Sequence, residues 1–461
     1  MKSKRFTLSA TFTVFGVNKQ IFRLLSELFV NTNIEKILAA RLCVTPLNYR
    51  FFNREELKMD AQQILNEAQQ LQPELQKCRR EIHRHPEVGF ELEKTKALVK
   101  EQLTEMGYEP KDCGKCGLTA LAGGKKDGKT ILIRADMDAL PVKEEAEVEY
   151  KSEEQGKMHG CGHDMHTAML LGAAKLLKEH EDELEGTVKL MFQPAEEIFQ
   201  GSDDMIKAGV LEDPHVDAAM MIHVVPGLPL PSGTVLIPDG GTGMASCEQY
   251  RITVKGKGGH GAMPHVSVDP ITAACHIHLA LQEINSRELG PDEFGVFTTG
   301  MFNAGEASNI IPDTAVMRGT IRTADLKVND KIKARIKEIC QAVATAFRAE
   351  AEVEFFNFCP PMIANGEMSE KANRFMKEMF GEGAMPMSAL GGPKVGGGSE
   401  DFAFVSCEVP TIGMFLSAGN PEDGYKYSQH HPKVVFDDSI LYRGSAAYAY
   451  FAARYLQDKS E

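Results

Sequence analysis

Three apolar runs, KTILIRADMDALP (129–141), GTVKLMFQPAEE (186–197) and AAMMIHVVP (218–226), end in segments that carry carboxylates or histidine. Unbroken apolar runs suit strands covered on both faces, the condition of a parallel sheet between helices. The pattern HTAMLLGAAKLLKEH separates the first two runs and reads as a helix. Upstream, residues 60–84 and 92–106 also read as helices, with apolar Ile64, Leu65, Leu71, Leu75 and Ile82 set among charges in the first of them. Strands alternating with helices predict an α/β fold with a mostly parallel sheet.

The register changes near residue 245. EQYRITVKGKGGH alternates apolar and polar residues, as a half-exposed antiparallel strand does. A helix pattern (DPITAACHIHLALQEINSR), the strands FTTGMFNAG and AVMRGTIRT, a helix from about Asp330 to Ala349 and the strand EAEVEFF follow. That order, β-α-β-β-α-β, is the split βαβ unit. It predicts an inserted α+β domain over residues 245–358, within a catalytic domain formed by 59–244 and 359–461. A helix at 369–380, GGGSEDFAF, the strand TIGMFLSAG and a closing helix from about Ser439 complete the second part.

Residues 1–58 do not fit this scheme. They carry about +6 against about −20 for the remainder of the 461 residues. MKSKR followed by FTLSATFTVFGV has the outline of a signal peptide, but Thr and Ser dilute its apolar stretch and no small-residue cleavage site follows. Met59 directly precedes a well-patterned helix. The segment is read as an extension of unknown role or an over-long start. No run reaches the roughly 18 apolar residues of a membrane span. The net charge of −14 argues against binding a phosphate backbone. Ten cysteines without a disulfide-scaffold spacing predict reduced thiols and a cytoplasmic protein; the pair Cys113 and Cys116 is read as structural.

The densest chemistry is HGCGHDMH, residues 159–166, with Cys161, His163, Asp164 and His166 just before a helix. Thiolate and imidazole are borderline-soft ligands suited to zinc and its neighbours. Glycines on both sides of Cys161 allow a tight turn around an ion. FQPAEE adds two adjacent carboxylates where a buried strand leaves the sheet, the region where α/β sites collect. Adjacent side chains diverge, so Glu197 can hold metal while Glu196 faces substrate as general base. A histidine in an apolar strand is usually a satisfied core residue, yet His223 joins a series of strand ends of the same kind. Asp136 and Asp138 end a further strand, as ligands or, preferably, as carboxylates that orient histidine ligands. His430 and His431 precede Pro432, and one of them could close the site.

RADMDALP, HGCGHDMHTAMLLGAA, FQPAEE, GKGGHGAMPH, NIIPD, GTIRT and GGSEDFAF, in that order, resemble the hippurate hydrolase and indole-acetyl-amino-acid hydrolase family. Acetylornithine deacetylase, aminoacylase and glutamate carboxypeptidase are its wider relatives. The resemblance runs from about residue 60 to the C-terminus. It implies a metallo-exopeptidase-like α/β catalytic domain with an inserted lid and dimerisation domain, and two divalent ions (Zn, Mn, Co or Ni). By motif position Cys161 bridges the ions, joined by His163, Glu197, His223 and His430, although His431 blurs the last match. Glu196 falls on the catalytic base and Asp138 on the carboxylate behind the ligands. His260 falls on a histidine that stabilises the oxyanion, often across a dimer interface. Asn309 and Arg322 match positions that hold the substrate carboxylate.

The implied reaction is hydrolysis of an N-acyl (acetyl, benzoyl or similar) amino acid to a carboxylic acid and a free amino acid. A dipeptidase or carboxypeptidase on the same scaffold is the alternative, though Cys161 stands where those relatives carry Asp. An inactive binding homologue is disfavoured because Glu196 and every proposed ligand are present. The implied partners are the small substrate and a second copy of the chain, with neither nucleic acid nor membrane.

Overall fold

The computed structural model describes residues 59–391 and 395–458; the N-terminal extension lies outside the described residues. The chain opens with α1 (Ala61–Arg84), whose N-terminus is capped by the Asp60 carboxylate accepting from Gln62 and Gln63 N–H. Ile64, Ala68, Leu75 and Ile82 are buried at the spacing of one helix face. Then come α2 (Glu93–Glu105), β1 (Lys111–Cys113), β2 (Gly117–Gly123), β3 (Thr130–Asp136), α3 (His163–Glu179), β4 (Thr187–Gln193), α4 (Gly201–Lys207), β5 (Ala218–Val225), β6 (Val235–Ile237) and β7 (Gly241–Met244).

The second segment holds β8 (Cys247–Lys255), β9 (Gly259–His260), α5 (Pro270–Glu283), β10 (Gly295–Ala304), β11 (Ile310–Ile311), β12 (Thr314–Thr323), α6 (Leu326–Ala346) and β13 (Glu350–Cys359). The chain returns through β14 (Met362–Ala364), α7 (Gly366–Phe380), β15 (Ala384–Pro386), α8 (Ala403–Glu408), β16 (Thr411–Ser417) and α9 (Leu441–Gln457).

The larger sheet has the order β1-β2-β4-β3-β5-β16-β6-β15. Its centre is parallel: β3 pairs in parallel with β4 and β5, and β5 with β16. Antiparallel steps occur at β1–β2, β2–β4 and β16–β6, so the α/β sheet is mixed. Every residue of β3 is buried, which explains its unbroken apolar run. One core gathers α1, α3 and α9 with the sheet, and Tyr448 on α9 donates to the Arg134 carbonyl at 2.7 Å.

The smaller sheet is fully antiparallel, β10-β12-β8-β13. Tyr250, Ile252 and Val254 of β8 pack with Ala273 and Ile277 of α5 and Ile332 and Ile336 of α6 in a separate core. The chain enters and leaves this segment along a two-stranded ribbon of β7 and β14. Two helices begin earlier than their apolar pattern suggests. Asp325 accepts from Lys327 and Val328 N–H and starts α6, and Asn365 accepts from Met368 N–H and starts α7. No helix among the described residues is long and apolar enough to cross a membrane.

Candidate metal centre

The centre is assembled where β3, β4 and β5 end, together with the N-terminus of α3 and a loop before α9. Gly162 precedes α3 at φ 92°, and a Cβ there would stand 2.4 Å from a Val224 methyl, so a side chain is excluded on both counts. This turn leaves Cys161 and His163 on the two sides of the bend. After β4, Ala195 (φ 56°) and Phe199 (φ 55°) bracket the short turn Glu196–Ile198 in left-handed backbone. Conformations of this sort in non-glycine residues persist where surrounding contacts hold them. Here Asp138 does so: its two carboxylate oxygens accept from Glu196 N–H (3.0 Å) and Glu197 N–H (3.2 Å).

Among the described residues five triplets of donor atoms result, and two of them share Cys161. Cys161, His163 and His223 form one, and Cys161, Glu197 and His430 the other; within each, the atoms lie within 4.8 Å of one another. The thiol is common to both, 3.6 Å from His223 Nε2 and 3.3 Å from His430 Nε2. His163 Nδ1 donates to the Asp138 carbonyl (2.8 Å), and His223 Nδ1 to the Val224 carbonyl (2.8 Å). A carbonyl only accepts, so each ring carries a proton on Nδ1 and turns Nε2 to the centre.

Among the described residues, buried His163 Nε2 and Glu197 Oε1 have no hydrogen-bond partner. Buried polar atoms are rarely left so, because desolvation is then uncompensated. A cation between them satisfies both, and a donor set of thiolate, imidazole and carboxylate fits zinc and its neighbours. The residues present therefore fit a metal site.

The electrostatics agree. Burial, then the charge of Glu197, push the Cys161 thiol well up. Burial raises the Glu197 carboxyl to about 7, with Asp138 and Asp136 adding to it against the opposing effect of His163. Glu196 is raised well above the usual carboxylate range by burial, then by Glu400, Glu197 and Asp401. Burial also holds His223 neutral. Anionic ligands crowded in a dry site want positive charge.

Of the four donors in residues 161–166, two turn elsewhere. Asp164 meets Arg79 Nε and His83 Nδ1, each at 2.7 Å. His166 donates from Nδ1 to Asp136 and accepts from Val224 N–H at 2.8 Å, so both ring nitrogens are engaged. Between the paired histidines, it is His430 whose ring reaches Cys161 and Glu197. Its backbone is left-handed (φ 65°) and its N–H donates to the Gly160 carbonyl at 2.8 Å. His431 stacks on Tyr427 with ring centroids 4.2 Å apart.

The other candidate residues lie on the smaller-sheet segment. His260 is exposed on β9, and Asn309 is beside it, its carbonyl accepting from Gly261 N–H at 2.8 Å. Arg322 donates to Ser399 Oγ at 2.8 Å, next to Glu400 and Asp401. Among the contacts of the described residues, none joins these three to the Cys161 cluster. Sequence reasoning assigned no role to Arg134, Gln193, Glu400 or Asp401, which form a buried network against Glu196. The only local signals were an arginine inside an apolar strand and the acidic pair in GGSEDFAF.

The profile of Peptidase family M20/M25/M40 matches residues 132–454. The chain is 38% identical to IAA-amino acid hydrolase ILR1-like 4 of Arabidopsis thaliana, over 82% of this chain and 84% of that one. It is 36% identical to hippurate hydrolase of Campylobacter jejuni, over 86% of this chain and 100% of the relative. Among solved structures, a Bacillus subtilis protein described as a dinuclear metal-binding peptidase of the M20 family superposes with a TM-score of 0.71. It is 31% identical, covering 84% of this chain and 99% of that one.

Proposed function

The chain belongs to Peptidase family M20/M25/M40, and from that premise we propose that it is a metal-dependent amidohydrolase that releases the amino acid from N-acyl amino acids. The observation that carries this reading is the thiol of Cys161 shared by two donor triplets, with the Glu196 carboxylate alongside. Cys161, His163, Glu197, His223 and His430 would hold two divalent ions, of Zn, Mn, Co or Ni. When bound, the ions supply Lewis acidity, which polarises an amide carbonyl and makes water a better acid.

The protein's own groups do the rest. Glu196 Oε1 accepts from Asp401 N–H at 3.3 Å, while Oε2 lies on the side of His163 Nε2, 3.9 Å away. One oxygen is anchored and the other is available to the reaction. Glu196 takes a proton from the attacking water and passes it to the departing amine nitrogen. Asp138 holds the turn that aims Glu196 and Glu197. His260 donates to the developing oxyanion, with an effect on the order of 3 kcal/mol for a well-placed donor. Arg322 and Asn309 receive the amino acid's carboxylate, for which a planar guanidinium is suited.

On the family resemblance, residues 245–358, which carry His260 and Asn309, are proposed to act as a lid and dimerisation domain, with a homodimer as the working form. The nine described cysteines are all free, which supports a reducing, cytoplasmic setting. The test is amine release from hippurate, N-acetyl and indole-acetyl amino acids against a dipeptide panel. Release confined to dipeptides would replace this reading with a peptidase.

Two further outcomes are expected. His430→Ala reduces the bound ions from two to one, whereas His431→Ala keeps two; inductively coupled plasma mass spectrometry on dialysed protein decides. Loading ions at pH 7 releases protons, because Cys161 and Glu197 are displaced toward their protonated forms and must lose protons to coordinate. Affinity therefore rises with pH and falls as pH drops below about 7, the value to which Glu197 is raised. Calorimetry in two buffers of different ionisation enthalpy measures the release; buffer-independent heats would contradict it.

A further inference from the structure

Arg134 is the one basic residue in the apolar strand β3, and its side chain is 1% exposed. A guanidinium has five N–H donors, and here all five are used. Nε donates to Gln193 Oε1 (2.8 Å). Nη1 donates to Asp136 Oδ2 (2.7 Å) and Glu400 Oε2 (3.1 Å). Nη2 donates to Glu400 Oε1 (2.8 Å) and Asp401 Oδ1 (3.3 Å). The Phe402 ring lies 5.4 Å from the guanidinium carbon.

These partners lead to the reacting centre by two routes. Asp401, also held by Gln193 Nε2 (2.6 Å) and Ser202 N–H (3.0 Å), offers its own N–H to Glu196 Oε1. Asp136 Oδ2 lies 3.5 Å from His163 Nε2, and Asp136 Oδ1 accepts from His166. Arg134 therefore joins the turn after β4, the segment before α8 and the end of β3 at one planar group.

We propose that Arg134 is a positioning residue that sets the angle of the Glu196 carboxylate by clamping the Glu400–Asp401 segment against β3 and β4. This rests on the reading of Glu196 as the base. The clamp makes Asp401 N–H the fixed point for Oε1 and turns Oε2 to the centre. It also neutralises Asp136, so that this carboxylate does not draw in the His163 ring. The function follows from the fork geometry and not from charge alone. Lysine brings the same charge with three donors and no planar fork, and it leaves two of the five acceptors unmatched.

The experiment compares metal-loaded Arg134→Lys and Glu400→Gln with the unaltered protein by kcat, KM, ion content and Tm, with Glu196→Gln as control. Misplacement of a reacting group by about 1 Å costs about 100-fold. Arg134→Lys is expected to lose about that factor in kcat while KM stays within about threefold and two ions remain bound. Glu400→Gln breaks one arm of the clamp and shows the same signature at smaller size. If Arg134→Lys fails to fold, Glu400→Gln carries the test by the same criteria. Activity within about threefold of the unaltered protein in folded, loaded variants overturns the proposal. So does a fall in kcat matched by loss of ions or a rise in KM, which marks a merely structural role. An inactive Glu196→Gln beside active clamp variants leaves the base assignment standing while the clamp fails; an active Glu196→Gln removes the base assignment itself.

Discussion

Replacing Glu196 with glutamine lowers kcat by on the order of 1,000-fold and leaves both ions bound. General acid–base groups contribute about 10²–10⁴-fold, and here one carboxylate serves two proton transfers. A loss of that size corresponds to about 4 kcal/mol of transition-state stabilisation. The substitution keeps shape and volume, and Asp401 N–H can still reach the amide oxygen, so the fold is retained. Glu196 is in neither triplet that holds Cys161, and glutamine keeps an oxygen beside His163 and Glu197, so both ions are expected to stay bound. Stopped assays of amine release, with ion content measured on the same sample, check both halves. A variant with unchanged kcat would remove Glu196 from the reaction.

Cys161→Ser is expected to abolish activity by a different route, through loss of both ions. The thiol is the one donor common to the two triplets, whereas His223 and His430 each belong to one. Serine preserves the size of the side chain but gives no thiolate at neutral pH. Disturbing residues behind a metal ligand already weakens affinity by about 10–100-fold, and losing a shared ligand weakens it more. A ligand that binds only the folded state raises its stability as concentration rises above Kd. The unaltered protein therefore gains Tm as Zn or Mn is added, and Cys161→Ser gains little. Equal gains in both proteins would place the ions elsewhere.

The parts of this fold that were legible in sequence are those whose cause is local. β3, β4 and β5 are buried on both faces, and their apolar runs say so. The glycine at position 162 announces the tight bend between Cys161 and His163. The rest depended on contacts across the chain. Asp164 and His166 carry the same side chains as good ligands, and only the positions of Arg79, His83 and Asp136 show that they are engaged elsewhere. Spacing could not separate His430 from His431; the left-handed backbone at His430 and its bond to Gly160 do. The Arg134 network joins β3 to residues more than 260 positions away, and no local pattern encodes such a meeting. Helix starts were misjudged where a cap extends the helix beyond its apolar stripe, as Asp325 does for α6.

The most direct measurement is a titration of metal-free protein with Zn and, separately, Mn, following bound ions and amine release from an N-acyl amino acid panel that includes hippurate. Two ions per chain, with hydrolysis appearing as the pair of sites fills, is the predicted result. A folded protein that binds no ion, or that binds two and releases no amine from any member of the panel, would contradict the account.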